Sequence, residues 1–165
     1  MDTMMGEPGY MFWSSMGDVL FFNTLGAVLC LYALHVELRK EKDPSYKALC
    51  DIGDNMSCSR VLTSEYSQGF GVMHVFFGKN HILNSRNCNM GLVVYIVNIL
   101  MCLALPTPLA ASIMYYSSIV NVLGCVYLAV ILFFVLKDVC LVCLSMYAIN
   151  GSLLYLTYNM HTFYH

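Results

Sequence analysis

The chain alternates long apolar runs with one polar stretch. Residues 19–36 form the first run, close to the roughly 20 apolar residues that a helix needs to cross a bilayer. Beyond residue 90 the charges almost vanish, and Lys137 and Asp138 alone interrupt the apolar sequence up to His165. Residues 91–136 are too long for one span, and Pro106-Thr107-Pro108 divides them. Proline lacks a backbone donor and biases its predecessor away from helix, so a turn is expected there. The pattern therefore predicts an all-α membrane protein. It is a four-transmembrane-helix bundle with spans near 19–36, 88–105, 110–135 and 139–160, making one integral membrane domain over residues 1–165. A loop at 37–87 joins the first two helices.

Composition supports that reading. Hydrophobic residues make up 59% and charged residues 11%, against about 45–50% and about 25% in soluble domains. With a mean hydropathy of +0.66, the chain has too little charge to cover a water-facing surface, which excludes a soluble enzyme, a disordered segment and a collagen-like fibre. The net charge of −2, with no basic block beyond Arg39-Lys40-Glu41-Lys42, argues against nucleic acid as a partner. No Rossmann or P-loop glycine pattern is present. Residues 1–18 contain no Lys or Arg, unlike the start of a secretory signal, so the first span reads as a retained anchor. Parity places the loop and the Lys137-Asp138 turn on the same side of the membrane. Within the loop, a helix at 68–78 would set Val72, Val75, Phe76 and Phe77 mostly on one face, suiting an element at the membrane surface. Asp18 and Asn23 read as groups near the interface.

Eight cysteines stand at 30, 50, 58, 88, 102, 125, 140 and 143. Cys50 and Cys58 form a C-x7-C pair in the polar loop, and Cys140 and Cys143 form a C-x2-C pair where the fourth helix begins. The first turn of a helix offers unpaired N–H groups and the positive end of the dipole, and both favour a thiolate. Asp138 is placed to cap that helix. Cys140, Cys143 and Tyr147 fall at i, i+3 and i+7, with Asn150 and Gly151 continuing the stripe, so a dithiol and a phenol are expected on one face. A tetrahedral zinc site fits poorly with an x7 spacing and an apolar second pair, so no metal is expected. The remaining cysteines read as small apolar residues in spans. Cys88 is read the same way, with wrong pairing to the loop cysteines as its alternative. Asn98 and Asn121, taken singly, read as helix-packing groups.

Several collinear segments carry a resemblance. Ala48-Leu49-Cys50-Asp51-Ile52-Gly53 and Ser57-Cys58-Ser59-Arg60 resemble the luminal loop of the vitamin K epoxide reductase family. Gly69-Phe70-Gly71, Ile82-Leu83-Asn84 with Asn87, Val126 to Leu136, Cys140-Leu141-Val142-Cys143 and Tyr147-Ala148-Ile149-Asn150 are similar too. The resemblance implies a thiol-dependent reduction of vitamin K 2,3-epoxide to the quinone and on to the hydroquinone. Cys140 and Cys143 would be the redox-active pair, with Cys143 the attacking thiolate, and Cys50 and Cys58 the shuttle pair. Asn87 and Tyr147 match the residues that hydrogen-bond the two quinone oxygens, and Leu62, Met90 and Val94 fall where the family lines its apolar pocket. Redox-active disulfides and a quinone substrate would replace any tightly bound cofactor. A thioredoxin-like luminal oxidoreductase and membrane lipid would be partners. The implied location is the endoplasmic reticulum membrane, multi-pass, with the active site luminal. Tyr66 departs from the tryptophan of the animal enzymes, and Glu65 and Gln68 replace basic residues.

Two other readings use the same features. A thiol–quinone oxidoreductase would run the four cysteines the opposite way, forming disulfides in partner proteins. A claudin-like scaffold also carries a loop cysteine pair, but here the Gly-Leu-Trp motif is absent and Cys140 and Cys143 would have no role. Seven of the eight Lys and Arg residues lie in 37–90, which by the positive-inside rule favours a cytosolic loop. The luminal assignment comes from the family resemblance.

Overall fold

Backbone polar groups in hydrocarbon have to be satisfied within their own segment, and a helix does this for an apolar run. The computed structural model describes residues 8–78, 85–104 and 108–164. Its long helices are α1 (Pro8–Lys42), α4 (Asn87–Ala104), α5 (Pro108–Val130, continued by a π-helical turn at Ile131–Leu136) and α6 (Leu141–Tyr164). Between α1 and α4 lie two short helices, α2 (Cys58–Leu62) and α3 (Met73–Phe77). Among the described residues four helices are long and apolar enough to cross a membrane, and the fold is the expected all-α bundle. Pro106-Thr107 of the dividing turn, Ile82-Leu83-Asn84 of the loop and the Phe77 side chain lie outside what is described. α5 opens on Pro108, whose fixed φ suits a first helical position.

α1 packs along α4 on one side and α6 on the other, and α5 packs along α6, while α4 and α5 scarcely touch. The α1–α4 seam is tight because small residues let the helices approach. A Cβ added to Gly26 would lie 2.6 Å from the Tyr95 ring, and one at Gly91 would lie 3.2 Å from Cys30 Sγ. Where no hydrophobic effect drives helices together, such close contact and interhelical hydrogen bonds take over. Asn98 Nδ2 donates to Asn23 Oδ1 at 3.2 Å, and Asn23 Nδ2 donates to Val19 O. Asn23 is thus buried between helices, its oxygen satisfied by Asn98 and its nitrogen by Val19 O. Asp18 remains exposed. Outward faces carry exposed Phe21, Leu100, Leu123 and Phe134.

The helix expected over 68–78 is broken. A 3-10 turn at Gly69–Gly71 holds Phe70 at φ 55, between Gly69 and Gly71 that are also at positive φ. For a bulky residue this left-handed backbone is strained and persists only where surroundings hold it. Val72, Val75 and Phe76 are nevertheless exposed.

Gly26→Val is expected to destabilise the bundle by about 1–3 kcal/mol, the usual cost of overpacking. A thermal unfolding series in one detergent, with Gly17→Val as the open-space control, measures it.

Candidate active site

The loop is organised around Asp51. Its carboxylate accepts hydrogen bonds from Ala48 N–H, Ser57 Oγ, Ser59 N–H and Ser59 Oγ at 2.6–3.1 Å. Burial works to raise its pKa, but the bonds from Ser59, Ala48 and Ser57 outweigh it and hold the carboxyl below the usual carboxylate range. This network folds 48–59 back on itself, with Ser57 capping α2 by accepting from Arg60 N–H. Cys50 and Cys58 are joined by a disulfide, with Cα atoms 5.8 Å apart. Cys140 and Cys143 are free thiols.

The same loop docks onto the start of α6. Val139 N–H donates to Asn55 O at 3.0 Å, and Arg60 pairs with Asp138. Asp138 therefore does not cap α6, as the sequence suggested, because its carboxylate is drawn to Arg60 and to Val139 N–H. The capping atom is Cys140 Sγ, which accepts from Cys143 N–H at 3.4 Å. Since α6 begins at Leu141, Cys140 sits just before the helix, one turn ahead of Cys143. Cys140 is wholly buried, whereas Cys143 is partly open.

Cys143 opens onto a cavity of about 340 Å3 in the gap between α4 and α5. Of the residues expected to bind a ligand, Leu62, Asn87, Met90, Val94 and Tyr147 all line it. Asn150 and Asn121 do as well. Gly151 turns outward instead. The Asn87 amide is largely engaged with the loop, for Oδ1 accepts from Phe70 N–H at 3.0 Å and Nδ2 donates to Tyr66 O at 2.7 Å. Tyr127 of α5 donates its hydroxyl to Phe70 O at 3.0 Å, and the two rings meet edge to face. These bonds hold the strained Phe70 over the cavity as part of its roof.

Sequence reasoning missed three residues. Tyr95, whose oxygen accepts from Asn150 Nδ2 at 2.9 Å, lines the cavity, but in the sequence it is one aromatic in an apolar run. Tyr127 was visible only as part of a family segment. Glu37 also lines the cavity; in the sequence it only marks the end of the first apolar run. Cys88 beside it donates to Glu37 Oε1 at 3.4 Å, so it is not the purely apolar filler expected.

A helical membrane bundle with a buried capping thiol, a second thiol on an apolar chamber and a disulfide-bearing loop docked alongside defines a thiol oxidoreductase framework. The profile described as the vitamin K epoxide reductase family matches residues 19–158. The vitamin K epoxide reductase complex subunit 1 of Mus musculus is 43% identical over 149 residues, 89% of this chain and 91% of that protein. That of Rattus norvegicus is 42% identical over the same shares. The chain belongs to the vitamin K epoxide reductase family, and it is a multi-pass membrane oxidoreductase.

Asp51's stabilisation of the loop is complete above about pH 4, the ordinary carboxylate value, and is lost as pH falls through the lower folded-state value. Deuterium uptake over 48–59, corrected for intrinsic rates, is expected to rise in that acid window. Asp51→Asn should show raised uptake at every pH.

Proposed function

We propose that the protein reduces vitamin K 2,3-epoxide to the quinone and then to the hydroquinone. The observation that carries this reading is the division of labour between the two thiols, with Cys143 on the cavity wall and Cys140 enclosed behind it as the capping sulfur. Cys143 is the nucleophile, because it alone of the pair lines the chamber where a substrate sits. Cys140 resolves the adduct. The Cys143 thiolate bonds to a ring carbon, Cys140 sulfur then attacks the Cys143 sulfur to close the disulfide, and the broken sulfur–carbon bond leaves its electron pair on the substrate. Tyr147 and the remaining amide hydrogen of Asn87 are the donors for oxygen that gains negative charge. Donors fixed in a water-poor site of this kind are worth roughly 3–4 kcal/mol each in well-studied cases. Leu62, Met90 and Val94 give the naphthoquinone an apolar bed.

The disulfide formed at Cys140–Cys143 has to be opened again. Cys50–Cys58 serves as the shuttle, supported by the contacts that fix its loop to residues 138–140. In its dithiol form Cys58 attacks Cys140, and Cys50 receives electrons from a thioredoxin-like oxidoreductase. A relay of disulfides belongs in an oxidising compartment, which supports the endoplasmic reticulum membrane with the loop luminal. The sparse contact between α4 and α5 gives a lipid-dissolved quinone a sideways route to Cys143.

Purified protein with dithiothreitol and vitamin K epoxide is expected to yield quinone and hydroquinone. Cys143→Ala should abolish turnover while eluting and unfolding as wild type does, and retained turnover removes the catalytic assignment. No loss of epoxide, with quinone still turned over, would assign the reverse, disulfide-forming direction.

A further inference from the structure

A dithiol that reacts as a thiolate brings two electrons and one proton. A hydroquinone needs two protons, as does an epoxide oxygen leaving as water. If the cavity takes these substrates, as proposed above, a group on its wall has to supply the second proton.

Among the described residues that line the cavity, Glu37 is the carboxyl. It lies near the end of α1 and is only 3% exposed, a placement that carboxylates rarely take unless paired. Its Oε1 accepts from the Cys88 thiol at 3.4 Å, and its Oε2 lies 2.9 Å from Arg86 Nε. That Arg86 N–H finds no hydrogen-bond acceptor, so the pair is held by charge rather than by an aligned hydrogen bond. Arg86 Nη2 donates to Glu41 Oε1 at 2.6 Å, and Glu41 is half exposed. Glu37 and Glu41 are one turn apart on α1, so the cluster runs from the chamber to water. The charged and titratable groups facing Glu37 are Arg86, Glu41 and Cys88, with Cys30 beyond Cys88. Glu37, Cys88 and Asn87 all line the same cavity, so the carboxyl shares the chamber with the amide proposed above as a donor to substrate oxygen.

We infer that Glu37 is a catalytic acid of this chain, delivering a proton to the oxygen that is reduced in the cavity. Cys143 S⁻ bonds to a substrate ring carbon, and Cys140 loses its proton and attacks the Cys143 sulfur, forming the S–S bond as the sulfur–carbon bond breaks. The electron pair remains on the quinone, the Cys140 proton and the Glu37 proton end on its two oxygens, and the Glu37 carboxylate is reprotonated from water at the Glu41 end. Arg86 is a positioning residue that holds the carboxyl toward the chamber.

The test uses the full chain in detergent with dithiothreitol and vitamin K quinone, measuring kcat and KM across the neutral pH range for Glu37→Gln, Glu37→Asp and Arg86→Gln. Loss of a general acid typically costs about 100-fold or more. Glu37→Gln is therefore expected to lose about that much kcat with KM unchanged, to lose the wild-type pH dependence, and to regain rate with added acetate. Glu37→Asp should recover much of the rate, and Arg86→Gln, which leaves the carboxyl less well placed, should lose part of kcat with KM unchanged. Glu37→Gln with the wild-type kcat and pH profile overturns the inference. So does a joint loss in Glu37→Gln and Arg86→Gln with raised KM and no acetate rescue, which assigns the cluster to holding the loop. If wild type itself turns over neither quinone nor epoxide, the functional reading falls, and this inference with it.

Discussion

Asp138 is an acidic side chain at the mouth of a membrane bundle, 4% exposed, and Arg60 offsets its charge. A buried carboxylate left without a partner is costly, so the pairing holds the two groups together. Arg60 belongs to the short helix that starts at Cys58, and Asp138 stands two residues before Cys140. The pair therefore joins the two cysteine couples across almost eighty residues of sequence. The Val139–Asn55 backbone bond fixes the register of that joint. Asp51 performs the complementary task within the loop, gathering the serine hydroxyls and amides on either side of the disulfide. The site is assembled by these acidic groups more than by apolar packing.

The π-helical turn at Ile131–Leu136 and the left-handed Lys137 shape the other half of the joint. Ending α5 this way swings Asp138 inward and leaves Cys140 as the residue that caps α6. Its sulfur takes an N–H that would otherwise be unsatisfied in the first turn. Cys143, one turn on, is released to the chamber. The two thiols thus differ in surroundings although only two residues separate them.

Much of this was legible in the chain. The near-absence of charge beyond residue 90 announced the later helices, the proline pair separated them, and the two cysteine spacings marked the sulfurs that the fold brings to the loop and to the start of α6. Leu62, Met90 and Val94 could be placed through family segments. What could not be read depended on contacts between distant residues. Asp138 looked like a cap because its attraction to Arg60 leaves no trace in local sequence. The Asn23–Asn98 bond was equally hidden, because the two amides lie on different helices. Phe70 sits in a backbone region that its residue type disfavours, held there by Asn87 and Tyr127, so periodicity predicted a helix where the chain makes a roof. Glu37 was hidden among neighbouring charges, although its side chain is buried against the cavity.

Both Cys58 and Cys140 have no solvent-exposed surface. A sulfur that water does not touch exchanges only with whatever the fold carries to it, so soluble thiols such as glutathione are screened from Cys140. Enclosure of this sort works as insulation. In the relay proposed above, Cys50, which retains a little exposure, is the terminal that an outside reductant would reach.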